Sequence, residues 1–391
     1  MAWSRYDLVV VGGGPAGLEA VRGYRDAGAD GTVCMISADS VLPYDRPPLS
    51  KEFLRGELAA QDVASEDAAF WSAAAASVRL LTQVVALDPD TGTVTLSTGE
   101  RIAFECCVLA TGAAPVSLPV PGGGHADVRR LRSLGQAHLL RQAASAAGSA
   151  VVVGSGFIGC EAAVSLAMRG LDVTLVTQER VPHAARLGRE AGERITGWLR
   201  AADVRLVLGA QVEQIVAGHR VELADGTALD GDVLLVAAGV RPRVELAEVA
   251  GLAVRDGRVV VDEHMRTSAT RVFAAGDVAL AHNAAAGRPL AVEHWGEALT
   301  MGQVAGATAA GAEASWGEAP GFWSDIGDRV LKHVAWGDGF ASATLVDHPH
   351  GGWTVWYGSS GVTVGALTHD ADDDYERGRT LVETGAPLPP L

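Results

Sequence analysis

Two glycine-rich loops of one spacing occur in this chain, Gly12-Gly13-Gly14-Pro15-Ala16-Gly17 and Gly154-Ser155-Gly156-Phe157-Ile158-Gly159. The pattern G-x-G-x-x-G means little by itself among 48 glycines, so its surroundings decide how it is read. The first loop follows the apolar run Asp7-Leu-Val-Val-Val11 and opens onto residues 15–27, whose Leu18, Ala20 and Val21 suit a helix laid on a sheet. The second follows Ala150-Val-Val-Val153 and opens onto residues 157–169 in the same way. In such strand-turn-helix units the first glycine makes the tight turn, the second lets the backbone approach a pyrophosphate, and the third permits close helix–strand packing. A phosphate placed there meets free N–H groups and the positive end of the helix dipole. One loop serves one dinucleotide, so the chain is expected to hold two.

The likeness between the halves extends past the loops. Val78-Arg-Leu80 and Val204-Arg-Leu206 each begin a hairpin-like stretch that ends in an apolar strand and a small-residue turn, Ala110-Thr111-Gly112 in one half and Ala238-Gly239 in the other. Between them lie Thr- and Val-rich alternation and a turn signal, Asp90-Thr-Gly92 or Ala224-Asp225-Gly226, as for a small antiparallel sheet inserted in a nucleotide-binding fold. Two homologous α/β domains of the Rossmann kind are therefore expected. A third segment, 267–279, places Gly276-Asp277 just after a further strand.

With that pair in view, the chain resembles the FAD-dependent pyridine-nucleotide oxidoreductases. There the Asp of a Gly-Asp pair holds the flavin ribityl chain, and the chain returns after the NAD domain to complete the FAD domain. Pro43-Tyr44-Asp45-Arg46-Pro47-Pro48-Leu49-Ser50-Lys51, Glu161 after the second loop, Glu293-His294-Trp295 and Phe322-Trp323-Ser324-Asp325 are similar, more narrowly, to the oxygenase-coupled ferredoxin and rubredoxin reductases. The similarity covers nearly the whole chain, although the end after about residue 375 is shorter than usual there. It implies an FAD-binding domain in two segments, 1–112 and 241–315, an inserted NAD(P)-binding domain, 113–240, and a small C-terminal α/β interface-type domain, 316–391. FAD and NAD(P)H are the implied cofactors.

The resemblance also assigns residues. FAD contacts are expected from Gly12, Gly14, Pro15, Ala16 and Gly17, from Arg46 and Lys51, from Ala110, Thr111 and Gly112, from Gly276 and Asp277, and from Glu293, His294 and Trp295. Asp39, shortly after strand 32–36, is expected to accept hydrogen bonds from the adenosine ribose. For the coenzyme the expected contacts are Gly154, Gly156, Phe157, Ile158, Gly159, Glu179 and Gly239. Lys51 and Glu161 take the catalytic assignment: the lysine is implied to reach the flavin near N5 and to pair with the glutamate. Lysine usage supports this, because Lys51 and Lys332 are the two lysines among 31 basic residues, and a compact ammonium kept among arginines suggests a task. A buried pair costs desolvation, so function explains it better than stability. Phe157 either gates the flavin when nicotinamide enters or packs helix on sheet. After strand 172–176 the acid expected at the strand end is replaced by Thr177; Glu179 two residues on favours NADH, Arg180 beside it suits a 2'-phosphate, and the balance leans to NADH. No metal ligand is expected.

Disulfide reductases of this superfamily carry a Cys pair just after the first βαβ crossover, and oxidase or peroxidase relatives carry one. No Cys lies between Cys34 and Cys106 here, so electrons are expected to leave the flavin directly for an outside acceptor. A flavin takes two electrons as hydride and releases them singly, which suits a ferredoxin-type iron–sulfur partner. The formal net charge of -16 argues against nucleic acid. It also sits awkwardly with an acidic ferredoxin: either a local basic patch, such as Arg129, Arg130 and Arg132 or Arg329 and Lys332, overrides the repulsion, or the acceptor is not strongly acidic. No apolar run of membrane-spanning length and no secretion signal is read, and Cys34, Cys106, Cys107 and Cys160 fall in strand or helix contexts, so a cytoplasmic monomer or homodimer is expected. Five of the nine tryptophans lie from Trp316 onward; strands at 353–357 and 361–365 and a closing helix at 370–383 are read there, with a small Trp-cored sheet accounting for three of the five. Two rival readings stay open: a flavoenzyme reducing a small molecule or oxygen directly, and a redox-sensing protein resembling apoptosis-inducing factors.

Overall fold

In the computed structural model, which describes residues 4–390, the chain divides into two compact units. The first comprises Met1–Asp45, Ala64–Ala114 and Arg241–Phe322; the second comprises Arg46–Val63, Pro115–Val240 and Trp323–Leu391. No helix among the described residues is long and apolar enough to cross a membrane.

In the first unit, strand Ser4–Val11 turns wholly buried at its second half, as its run of four apolar residues requires. It lies between two parallel neighbours, Val33–Ile36 and Arg101–Leu109, with Ala76–Arg79 parallel on the outer side of Val33–Ile36. Strand Arg101–Leu109 is long enough to serve two partners on its other side. Its first residues pair antiparallel with Thr93–Leu96, which pairs in turn with Val84–Asp88. Its last residues, Cys107 to Leu109, pair parallel with Val272–Ala274, so the returning chain joins the sheet built by the N-terminal segment. The hairpin expected from residue 78 therefore begins one strand later, at Val84. The cause is that a short parallel edge strand shows the same alternation as a hairpin arm.

Helix Pro15–Asp26 is crossed by helix Trp295–Ala309, and three glycines make the crossing possible. A Cβ on Gly302 would strike the Ala16 carbonyl, one on Gly306 the Ala20 carbonyl, and one on Gly23 the backbone of Gln303. Backbone thus lies on backbone, and the helix that opens the first glycine loop is held rigidly from behind.

The second unit repeats the scheme. Its parallel sheet runs Arg205–Leu208, Asp172–Thr177, Ser149–Val153, Val233–Val236, and helix Phe157–Met168 follows the second loop. A three-stranded antiparallel sheet, Val212–Val216, Arg220–Leu223 and Ala228–Asp230, again starts one strand after the residue-204 expectation. Its Ile215, Val221 and Leu223 share a buried cluster with Val151, Val153, Val176 and Leu234 of the parallel sheet.

At the C-terminal end a five-stranded sheet has the order Gly321–Ile326, Arg329–Ala335, Val362–His369, Trp353–Ser359, Ser342–Asp347. Helix Asp372–Thr384 follows it, starting two residues after the expected position because Asp370 takes φ +49° and Ala371 is the N-cap. Three aspartates in its first turn suit the positive end of the helix dipole. Trp353 and Trp356 are buried in this sheet and Trp316 is buried in the first unit, whereas Trp323 is 41% exposed.

Candidate functional site

Both glycine loops have the geometry that their spacing predicts. Gly12 and Gly154 take φ of +127° and +110°, values open to glycine. A side chain on Gly12 would collide with the Ala110 carbonyl and one on Gly154 with the Ala237 carbonyl, so each loop lies on the small-residue turn of its own half. The third glycines, Gly17 and Gly159, are pressed on the carbonyls of Gly12 and Gly154. Gly14 and Gly156 are the N-caps of their helices, neither helix start carries a side-chain cap, and a Cβ on Gly156 would meet open space. Helix starts without a side-chain cap, with room beside Gly156, are what a pyrophosphate needs. Pro15 and Ala16 form the first helical positions of one loop, Phe157 and Ile158 those of the other.

Asp39, the 110–112 turn, Gly276-Asp277 and Glu293-His294, all expected to hold FAD, belong to the same unit as the first loop. The Asp39 carboxylate accepts from the Tyr44 hydroxyl at 2.8 Å, while the Asp39 carbonyl accepts from Leu81 N–H, so the acid following strand Val33–Ile36 is fixed. Thr111 donates its hydroxyl to the Arg243 carbonyl and Arg243 N–H donates to the Gly112 carbonyl, which ties the Ala110-Thr111-Gly112 turn in place. Asp277 is buried in a single 3-10 turn that Gly276 enters at φ +76°. His294 caps helix Trp295–Ala309, with its ring 4.8 Å from that of Phe322. Glu293 is exposed and forms an ion pair with Arg258, a commitment that local sequence does not reveal. Uncapped loop, ribose-side acid and buried Gly-Asp turn together fit FAD.

The coenzyme side carries a departure from the usual strand-end acid. Thr177 ends strand Asp172–Thr177, and its hydroxyl lies 2.8 Å from that of Ser155 in the glycine loop. Ser155 donates to the Glu179 carboxylate at 2.7 Å, His183 N–H donates to the same oxygen at 3.0 Å, and Glu179 N–H donates to the Thr177 hydroxyl at 3.2 Å. A closed ring of bonds thus brings an acid from two residues further on back to the strand end, while Arg180 is exposed. Gly239 takes φ +98°, with open space beside its Cα. Phe157 packs on the His183 ring, centres 4.3 Å apart and planes tilted by 32°, and the Arg186 guanidinium lies 5.5 Å from the Phe157 ring centre. Burial, aided by Arg186, lowers the His183 pKa from 6.5 to about 4, so that ring is neutral.

Lys51 and Glu161 come together as their assignment requires, in a larger group than a pair. The Pro47–Ser50 turn, headed by Arg46, delivers Lys51, and Ser165 of helix Phe157–Met168 fastens it by donating to the Ser50 carbonyl at 2.7 Å. Lys51 Nζ lies 3.8 Å from Glu161 Oε1 but 2.8 Å from Asp325 Oδ2. Ser50 and Ser324 donate to the Glu161 carboxylate at 2.5 and 2.7 Å. On strand Gly321–Ile326, Ser324 is wholly buried while its neighbour Trp323 points outward, 5.9 Å from the Lys51 ammonium. Ser50, Ser324 and Asp325 were assigned no role from sequence, nor were Ser155, Thr177 and His183 as supports of Glu179.

All four cysteines are free, and burial pushes their thiols above the ordinary range. None has thiolate character.

A family model described as pyridine nucleotide-disulphide oxidoreductase matches residues 6–311. A rubredoxin-NAD(+) reductase of Pseudomonas putida is 35% identical over 329 residues, covering 83% of this chain and 85% of that protein. A ferredoxin–NAD(P)(+) reductase of a Sphingomonas species is 31% identical over 402 residues, 100% of this chain and 96% of its own length. Among solved structures, a ferredoxin reductase from Rhodopseudomonas palustris superposes with a TM-score of 0.92 at 29% identity, covering 98% of this chain and 96% of that one. The reductase in the covalent putidaredoxin reductase–putidaredoxin complex gives 0.91 at 29% identity, covering 99% and 95%.

Proposed function

The chain belongs to the pyridine nucleotide-disulphide oxidoreductase family, and from that membership we propose that it takes hydride from a nicotinamide coenzyme and hands the electrons singly to a ferredoxin-type iron–sulfur protein of an oxygenase system. It is an FAD-dependent NAD(P)H oxidoreductase. The observation that carries the reading is the presence of two glycine loops of matching geometry in a chain whose four cysteines are all free, three of them buried and Cys106 partly so. Bound FAD supplies a centre that accepts an electron pair as hydride and gives electrons up one at a time.

The chain's own residues bind and orient. Gly12, Gly14 and Gly17 with Asp39 and Asp277 are assigned to FAD, and Gly154, Gly156, Gly159 and Glu179 to the coenzyme. Glu179, held by Ser155 and His183, offers a carboxylate to ribose hydroxyls and repels a 2'-phosphate, which favours NADH. Lys51 and Glu161 are assigned to the hydride-transfer step, with a buried ammonium and carboxylate fixed before coenzyme arrives. The reducing cytoplasm is the proposed compartment, given four unpaired thiols.

The purified protein should be yellow, hold one noncovalent FAD and lose its flavin absorbance on anaerobic addition of NADH. A protein that stays colourless after reconstitution with FAD contradicts the assignment.

A further inference from the structure

A count of charges in the buried cluster leads past the Lys51–Glu161 pair. One ammonium serves two carboxylates, and the tighter ion pair goes to Asp325, 2.8 Å against 3.8 Å for Glu161. Glu161 is left with neutral donors, the hydroxyls of Ser50 and Ser324. Lys51 and Glu161 side chains are 4% and 8% exposed, whereas Asp325 keeps 23%, so the outer carboxylate holds the ammonium and the inner one is the more deeply buried. The ionisable groups facing Glu161 are Lys51, just before the helical turn Glu52–Arg55, and Asp325, from strand Gly321–Ile326; Cys160 lies beside it on its own helix. Burial raises the Glu161 pKa above the usual carboxylate range, the Lys51 charge and both serines oppose this, and the Asp325 charge adds to it.

We propose that Asp325 is a positioning residue of this cluster: it engages Lys51 directly and so leaves Glu161 as the member that gains and loses a proton. The proposal rests on the reading of Lys51 and Glu161 as the pair serving hydride transfer, and adds the residue that sets the ionisation of Glu161. Neutralising Asp325 has two effects of one sign. It removes a negative charge that disfavours the Glu161 carboxylate, and it frees the ammonium to close on Glu161 as its remaining anionic partner.

Infrared difference spectroscopy on the FAD-loaded protein tests this, with the protonated-carboxyl band of Glu161 identified by its loss in Glu161→Gln. Its midpoint should move to lower pH by about one unit or more in Asp325→Asn, and return close to the wild-type value in Asp325→Glu. A midpoint that is unmoved or rises in Asp325→Asn overturns the proposal. An independent check needs no substitution: the two lysines give two side-chain signals after carbon-13 labelling at Cε, and the Lys51 signal should follow the Glu161 midpoint. A Lys51 signal indifferent to pH across that range also overturns it. The pH profile of flavin reduction by NADH should move with the band; a band that moves while the profile stays supports the cluster and removes the pair from the hydride-transfer step.

Discussion

His183 shows how one residue can serve two neighbours at the cost of acid stability. Its backbone N–H holds Glu179 and its ring supports Phe157, and the ring stays neutral down to about pH 4 although an ordinary histidine protonates near 6.5. Between those values the unfolded chain binds a proton that the folded chain excludes, so this group's contribution is complete above 6.5 and is lost as pH falls towards 4. The loss is on the order of 3 kcal/mol at the acid limit. Denaturant unfolding measured across that range should show it, and His183→Asn, which tolerates the residue's φ of +61°, should flatten the slope. An unchanged slope in the variant would place the acid sensitivity elsewhere. Glu179→Ala should raise Kd for NADH and leave NADPH binding less affected, because only the 2'-hydroxyl is read by the carboxylate; equal losses would show that Glu179 does not contact the ribose. Such residues also mark the reach of sequence reading. Lys51 and Glu161 were legible from lysine scarcity and motif, but Asp325 stands 274 residues from Lys51, and no local spacing announces that contact. Thr177 read as a missing acid until the fold showed Ser155 drawing Glu179 into its place.

At the scale of elements, the strand-loop-helix units and the return strand at 272–274 could be read because glycine spacing and apolar runs are local signals. The crossing of helix Pro15–Asp26 with helix Trp295–Ala309 could not, since its glycines look ordinary in a chain so rich in them. Gly306→Ala should destabilise by about 1–3 kcal/mol, as its Cβ would meet the Ala20 carbonyl with no room to yield. Gly197→Ala, in open space on helix Arg189–Ala201, should instead be stabilising by roughly 0.5–1 kcal/mol. Calorimetry on the two variants checks the pair of signs. A Gly306→Ala protein as stable as wild type would mean that the helices can slide apart at no cost.

For the whole molecule, the formal charge of -16 bears on partner choice. An acidic protein meeting an acidic ferredoxin must dock through a local patch, so salt should act on electron exit and not on hydride entry. Trp323, exposed beside the buried Lys51 cluster, is the residue proposed to serve that exit. The most direct measurement is anaerobic double mixing, in which NADH first reduces the flavin and an oxidised ferredoxin is then added. Flavin absorbance should disappear at a rate independent of ionic strength and identical in Trp323→Ala. It should then return only with ferredoxin, in step with reduction of the iron–sulfur centre, at a rate that salt changes and Trp323→Ala lowers. A reduced flavin that no ferredoxin reoxidises at any ionic strength, while a small quinone or oxygen reoxidises it rapidly, would contradict the account.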